Sequence, residues 1–155
     1  MRIKTSSNID TIIPLECVDS KRNIWRLRWD IKVGEFEEIQ LSHKPTLEEV
    51  KCIILDWYNA ETVRQITYDF KWNGHSVNLS KENQSNYNMF CDSGIVPVLL
   101  KFGTWDKPEY YKIDSLEELK KFKTAISEHI KTRLQIGWSR KDNIDWTPYE
   151  QIINQ

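Results

Sequence analysis

Three histidines, His43, His75 and His129, are the first side chains to test for chemistry, since imidazole titrates near neutral pH and binds metals. Their separation forbids the HxxxH and HExxH spacings that bring two imidazoles onto one zinc ion. His75 adjoins Ser76 and could form half of a nucleophile pair, yet no GxSxG elbow and no third, orienting group accompanies them. All three histidines therefore read as structural or solvated. Cys17, Cys52 and Cys91 are odd in number and lack CxxC spacing, which indicates neither a disulfide framework nor a zinc site. Cys52 and Cys91 fall in apolar periodic segments and read as small buried hydrophobes. Glu48 with Glu49, and Glu117 with Glu118, suggest the paired carboxylates of a glycosidase. Each pair, however, opens an expected helix, where acidic groups favour the dipole and cap the backbone. GxGxxG and GxxxxGK phosphate loops are absent.

Binding chemistry has more material. FKWNGHSVNLSKENQSNY, residues 70–87, joins a tight turn to a segment crowded with carboxamides. Seven tryptophans are the compositional outlier, and indoles serve sugar-stacking surfaces and interfaces as readily as cores. Arg22, Arg26 and Arg28 interleave with Trp25, a pattern found in nucleic-acid and glycan binders, but strand alternation already explains it. With 22 basic and 23 acidic residues, the net charge of -1 supplies no general attraction to phosphate backbones or anionic lipid.

These side chains must be positioned by one domain of 155 residues, or by one domain with an elaborated N-terminal portion. In IWRLRWDIKV, residues 24–33, Trp25, Leu27, Trp29, Ile31 and Val33 form a wholly apolar odd set, which predicts a half-buried strand. EFEEIQLS follows as a weaker strand with a bulge where its alternation slips, and TIIPLECV adds an edge strand limited by Pro14. Thr46 and Glu49 form a capping box, and Leu47, Val50, Ile53, Ile54, Trp57 and Tyr58 mark one helical stripe over about 46–58, with Asn59 as its stop.

ITYDFKW then alternates into Asn73-Gly74, the positive-φ pair of a type I′ turn. That register sets Trp72 opposite His75, Phe70 opposite Val77 and Tyr68 opposite Leu79 on one face. Ser80 caps a helix whose apolar stripe is Tyr87, Phe90 and Cys91, with Asn83 and Gln84 one turn above on the same side. Asn86 and Asn88 fall on flanking or outer positions. IVPVLLKFGT and PEYYKID read as strands around the turn GTWDKP. A long helix opens on a second capping box, Ser115 and Glu118, buries Leu119, Phe122, Ile126, Ile130 and Leu134, and ends at Gly137. The closing segment, with Trp146 and Tyr149, reads as an arm that packs on the body or reaches another chain.

The expected fold is α+β: antiparallel hairpins or a sheet packed against two or three helices, with a long C-terminal helix. Residues 1–65 form N-terminal accessory strands plus the capped helix, 66–146 the main domain and 147–155 the arm, unless all are one compact domain. No apolar run reaches the length of a membrane span, and the N-terminus lacks a signal-peptide core, so synthesis in a reducing cytosol is expected.

The order WNGHSVNLSKENQSNY (72–87), PVLLKFG (97–103), YYKIDSLEELKKF (110–122) and AISEHIKTRLQIGWSRKDNIDW (125–146) resembles an uncharacterised domain of phage and prophage proteins that often accompanies tail-fibre and other tail components. Its most specific marks are Trp72, Asn73, Gly74, the run Ser80, Glu82, Asn83, Gln84 and Asn86, and the helix from Ser115. The resemblance covers about half the chain and carries over no catalytic residue. It implies a viral or prophage origin and a place in virion structure or assembly; since no catalytic set assembles in the sequence, the expected role is non-enzymatic, exercised through protein contacts in the bacterial cytoplasm during synthesis and assembly or in the virion. The partners expected are other tail or virion proteins or further copies of this chain; charge, hydropathy and motif spacing give no expectation of nucleic acid, membrane insertion, cofactor or metal. The alternative is a glycan-binding module, using Trp72, His75 and Tyr87, or Trp25 with Trp29, on a cell-surface sugar. Trp72, His75, Asn83, Gln84 and Tyr87 are the binding candidates on either view.

Overall fold

A computed structural model describes residues 1–5 and 8–155. Its elements run β1 (Arg2–Lys4), a short 3-10 turn (Ile9–Thr11), β2 (Leu15–Asp19), β3 (Ile24–Lys32), β4 (Glu35–Leu41), α1 (Leu47–Tyr68), β5 (Lys71–Trp72), β6 (His75–Ser76), α2 (Lys81–Ser93), β7 (Val98–Gly103), β8 (Pro108–Ile113), α3 (Leu116–Asp142) and α4 (Thr147–Ile153). The chain is α+β, with antiparallel sheets and a long α3, as expected. Backbone contacts divide it into two units, Met1–Trp57 with Asn143–Gln155, and Tyr58–Asp142.

The first unit is built on an antiparallel sheet in the order β1-β4-β3-β2. Leu27 and Trp29 of β3 are buried, and Trp29 meets Trp57 edge-on at 6.1 Å between ring centroids. The opposite alternation carries charge. Arg28 reaches Glu38 at 2.8 Å and Glu16 at 3.0 Å, and Arg26 reaches Glu38 at 3.5 Å, so these two arginines are engaged within the sheet. The bulge expected in β4 lies instead in β3. Pairing steps from Trp29 opposite Glu37 to Lys32 opposite Glu35, leaving Asp30 and Ile31 against the single residue Phe36, and Asp30 takes a φ of 49°. β1 was not foreseen, because three half-polar residues carry no readable alternation. The C-terminal segment is a short helix in this unit, where the Tyr149 hydroxyl donates to the Arg28 carbonyl at 2.8 Å.

The capping box that opens α1 is complete. Glu49 N–H donates to Thr46 Oγ1 at 3.2 Å, and Thr46 N–H donates back to Glu49 Oε2 at 2.7 Å. The Thr46 backbone bond, helped by His43, holds the Glu49 carboxyl below the usual carboxylate range. Asn59 does not stop this helix, which continues to Tyr68. Val50, Ile54, Tyr58 and Ile66 keep a buried row at helical spacing past Asn59, which sits on the exposed side and accepts from Lys141 at 2.7 Å. Cys52 lies off that row and is exposed, contrary to its reading as a buried hydrophobe.

In the second unit, Asn73 and Gly74 adopt φ values of 47° and 83°, and the expected pairs Trp72 with His75 and Lys71 with Ser76 form. Val77 N–H extends the ribbon to the Phe70 carbonyl at 3.0 Å. There it ends. Tyr68 belongs to α1 and is exposed, whereas Leu79 is fully buried, so the third pair on one face does not form. Ser80 caps α2, accepting from Asn83 N–H at 3.2 Å, and Gly94 closes it in the left-handed conformation. The second capping box is half made. Ser115 Oγ accepts from Glu118 N–H at 3.1 Å, while the Glu118 carboxylate accepts from the Tyr111 hydroxyl at 2.7 Å instead of returning to the cap.

Gly137 does not end α3, whose 27 residues extend about 40 Å. It is a buried interior glycine, and a Cβ there would stand 2.4 Å from Thr62 Oγ1 and 3.3 Å from Thr62 Cγ2. Thr62 is stiff at χ1 and donates to the Tyr58 carbonyl at 2.9 Å, so it yields only by losing that bond. Gly137→Ala gains about 1 kcal/mol of helix propensity but incurs an overpacking penalty of about 1–3 kcal/mol. A net loss of about 1 kcal/mol is expected in the native background, and a net gain of similar size once Thr62→Ala removes the obstacle. Urea titrations of both backgrounds check this; the same sign in both would show that the glycine is not a packing requirement.

Candidate functional site

The hairpin β5-β6, helix α2 and hairpin β7-β8 carry all five binding candidates and lie within Tyr58–Asp142. Their core gathers Phe70, Val77, Leu79, Tyr87, Leu100, Phe102, Ile113, Leu119, Phe122 and Ile126. Tyr87 belongs to that core, 5% exposed, with its ring edge-on to Phe122 at 5.5 Å. Its hydroxyl donates to the Lys101 carbonyl at 3.1 Å, and burial pushes its pKa up. Trp72 is half-buried and edge-on to Phe122 at 5.3 Å, with an indole N–H that finds no acceptor among the described residues. These two rings serve packing first. Trp25, half-buried under the Lys44 ammonium, and Trp29, 5% exposed, likewise leave no open pair of indoles.

The amides fasten backbone. Asn83 Nδ2 donates to the Asn78 carbonyl at 2.9 Å, and Gln84 Nε2 donates to the Leu79 carbonyl at 2.7 Å, tying α2 to the strand-like segment that leads into it. Gln84→Ala should leave the partly buried Leu79 carbonyl without that donor, with an expected loss of about 1–3 kcal/mol. Differential scanning calorimetry measures it, and an unchanged melting temperature would deny the glutamine an architectural role.

His75 Nδ1 lies 2.8 Å from Glu109 Oε2, and its ring rests against Tyr111 at 5.4 Å. Beside it runs the relay from Asn73 Nδ2 to Tyr111 Oη at 2.7 Å and on to Glu118. His75 is engaged by a carboxylate, and no hydroxyl or thiol meets its imidazole among the described residues. Among the described residues, no three histidine, cysteine or acidic side chains gather where they could hold a metal ion. Burial raises the pKa of the Cys91 thiol, which opposes nucleophile character.

An open cleft of about 810 Å³ lies alongside α2. Asn83 and Tyr87 of the sequence candidates line it, and Trp72, His75 and Gln84 do not. Sequence reasoning missed its other polar and aromatic walls: Tyr68 at the end of α1, Asn78 before α2, Asn86 within α2, and Trp105 on the turn between β7 and β8. Trp105 is 92% exposed and Tyr68 63% exposed. A tryptophan in the polar turn GTWDKP was the available signal, because such a turn carries no side chain into a core.

No family model, curated protein or solved structure matches the chain. Among the described residues, no helix is long and apolar enough to cross a membrane.

Proposed function

We propose that the chain is a non-enzymatic phage or prophage protein, tail-associated as a structural component or assembly factor, that acts by contacting other virion proteins. The observation that supports this reading is the organisation of Tyr58–Asp142. The segments that carry the phage resemblance, as far as Asp142, fold together around Phe122, and Asn83 and Gln84 brace α2 to the segment that leads into it. Deleting the gene from an inducible lysogen tests the proposal. Infective titre should fall at least 100-fold, with tail-less or tail-defective particles in electron micrographs; normal particles at full titre would overturn it.

Glycan binding is the second reading, favoured by the cleft lined by Tyr68, Asn83 and Trp105. It is compatible with a place in the tail, where cell-surface sugars are met.

A further inference from the structure

We infer that the cleft beside α2 is an oligosaccharide-binding site, with Trp105 and Tyr68 as stacking rings and Asn78, Asn83 and Asn86 as hydroxyl-reading amides. The inference rests on the glycan-binding reading and gives it a location and a residue set that differ from the aromatic groups expected from the sequence.

Size comes first. At about 810 Å³ the cleft falls within the roughly 300–1,000 Å³ typical of small-molecule sites, and it is open to solvent. Exposure comes second. A ring that is 92% exposed, as Trp105 is, gains nothing from the protein's own core, and its face remains available to the C–H face of a pyranose. Tyr68 offers a second exposed ring from a different element.

Unused hydrogen-bonding capacity is the third observation. Asn78 Oδ1 accepts from Ser80 N–H at 2.9 Å, which fixes the orientation of that amide while leaving its NH2 group without a close acceptor among the described residues. Asn83 donates through Nδ2 and has no donor to its Oδ1 among the described residues. The Asn86 amide makes no side-chain bond among them. Two of the three amides are thus held in place by bonds that leave a donor on one and an acceptor on the other, which is what a sugar hydroxyl, donor and acceptor at once, requires. Charge comes fourth. Lys101 is the sole charged side chain among the described lining residues, and no carboxylate lines the cleft. That composition suits neutral or acidic sugars and gives a basic peptide nothing to pair with.

The test is an array of neutral and acidic bacterial-type oligosaccharides probed with the full chain and three variants. The native protein should bind at least one member. Trp105→Ala and Asn86→Ala, both at exposed positions, should weaken that binding at least 10-fold with melting temperatures within 2 °C of native. Trp138→Ala, an exposed indole on α3 that does not line the cleft, should bind as the native chain does. Binding that survives Trp105→Ala overturns this site while leaving glycan binding in place. A silent array overturns both, and a peptide-display selection whose binders depend on Trp105 would reassign the cleft to protein. Loss of infective titre in the deletion lysogen is read separately, so the tail proposal stands or falls on its own result.

Discussion

Phe122→Ala is expected to destabilise the protein by about 3–5 kcal/mol. Phe122 is completely buried, and its ring lies 6.4 Å from Phe70, 5.3 Å from Trp72, 5.5 Å from Tyr87 and 5.9 Å from Phe102. These four neighbours arrive from the segment after α1, from β5, from α2 and from β7. One ring therefore joins most elements of Tyr58–Asp142. Truncation removes its transfer free energy and leaves a cavity that four aromatic rings, each held from other sides, cannot collapse to fill. In urea unfolding the midpoint should fall with little change in slope, while Phe122→Leu, which keeps most of the volume, should lose about 1.5 kcal/mol or less. A loss below about 1 kcal/mol for the alanine variant would mean that this core is not organised around Phe122.

What was legible beforehand follows from the range of each signal. The Asn73-Gly74 turn and the Ser80, Thr46 and Ser115 caps are local, since one or two residues meet a backbone requirement nothing else nearby can satisfy. All were readable. The ribbon before that turn was not. In ITYDFKW, apolar residues at alternate positions fit a strand, but Ile66 also continues the row of Tyr58 at helical spacing. The helix prevailed as far as Tyr68, and the strand could start only at Lys71. Gly137 shows the same ambiguity from another direction. After an apolar stripe a glycine signals a stop, yet here it admits Thr62, 75 residues earlier in the chain, and such an approach has no local trace.

The cleft was illegible for a related reason. Tyr68, Asn86 and Trp105 come from three elements spread over nearly 40 residues, and none lies in a motif with the other two. The candidate set drawn from the sequence gathered residues adjacent along the chain, which favoured the hairpin and the inner side of α2. Tyr87 and Trp72 stand out in the sequence as aromatic members of apolar periodic segments, and that periodicity is the property that turns both rings toward the core. Trp105 lacks periodic apolar neighbours. That isolation is the better guide to an available ring.

In the first unit, Arg2→Ala is expected to lose about 3 kcal/mol, more than a surface ion pair can explain. Arg2 on the edge strand β1 reaches Asp30 Oδ2 at 2.8 Å and Glu37 Oε1 at 2.9 Å, with Glu35 at 3.9 Å, and its guanidinium lies 5.8 Å from the Trp57 ring centroid. The side chains of Asp30 and Glu37 are only 5% and 9% exposed. Burial works against the Arg2 charge, but the Asp30, Glu37 and Glu35 carboxylates outweigh it and hold the proton more tightly than a free arginine would. The β3 bulge gives this cluster its geometry, since the extra residue that sets Asp30 at positive φ falls beside Glu37 across the ladder. Removing the guanidinium takes the shared cation from two nearly buried carboxylates; Lys32 still reaches Asp30 at 3.0 Å and the Met1 ammonium still reaches Glu37 at 3.2 Å, but both of these cations are mostly exposed and answer only part of the loss. Arg2→Lys should recover less than half, because one ammonium cannot match the fork that engages both acids. Arg26→Ala, whose pair with Glu38 spans 3.5 Å at a more exposed position, should cost less than about 1 kcal/mol. Equal losses for the Arg2 and Arg26 variants in urea would show that β1 is held by its backbone ladder alone and that the buried acids find other partners.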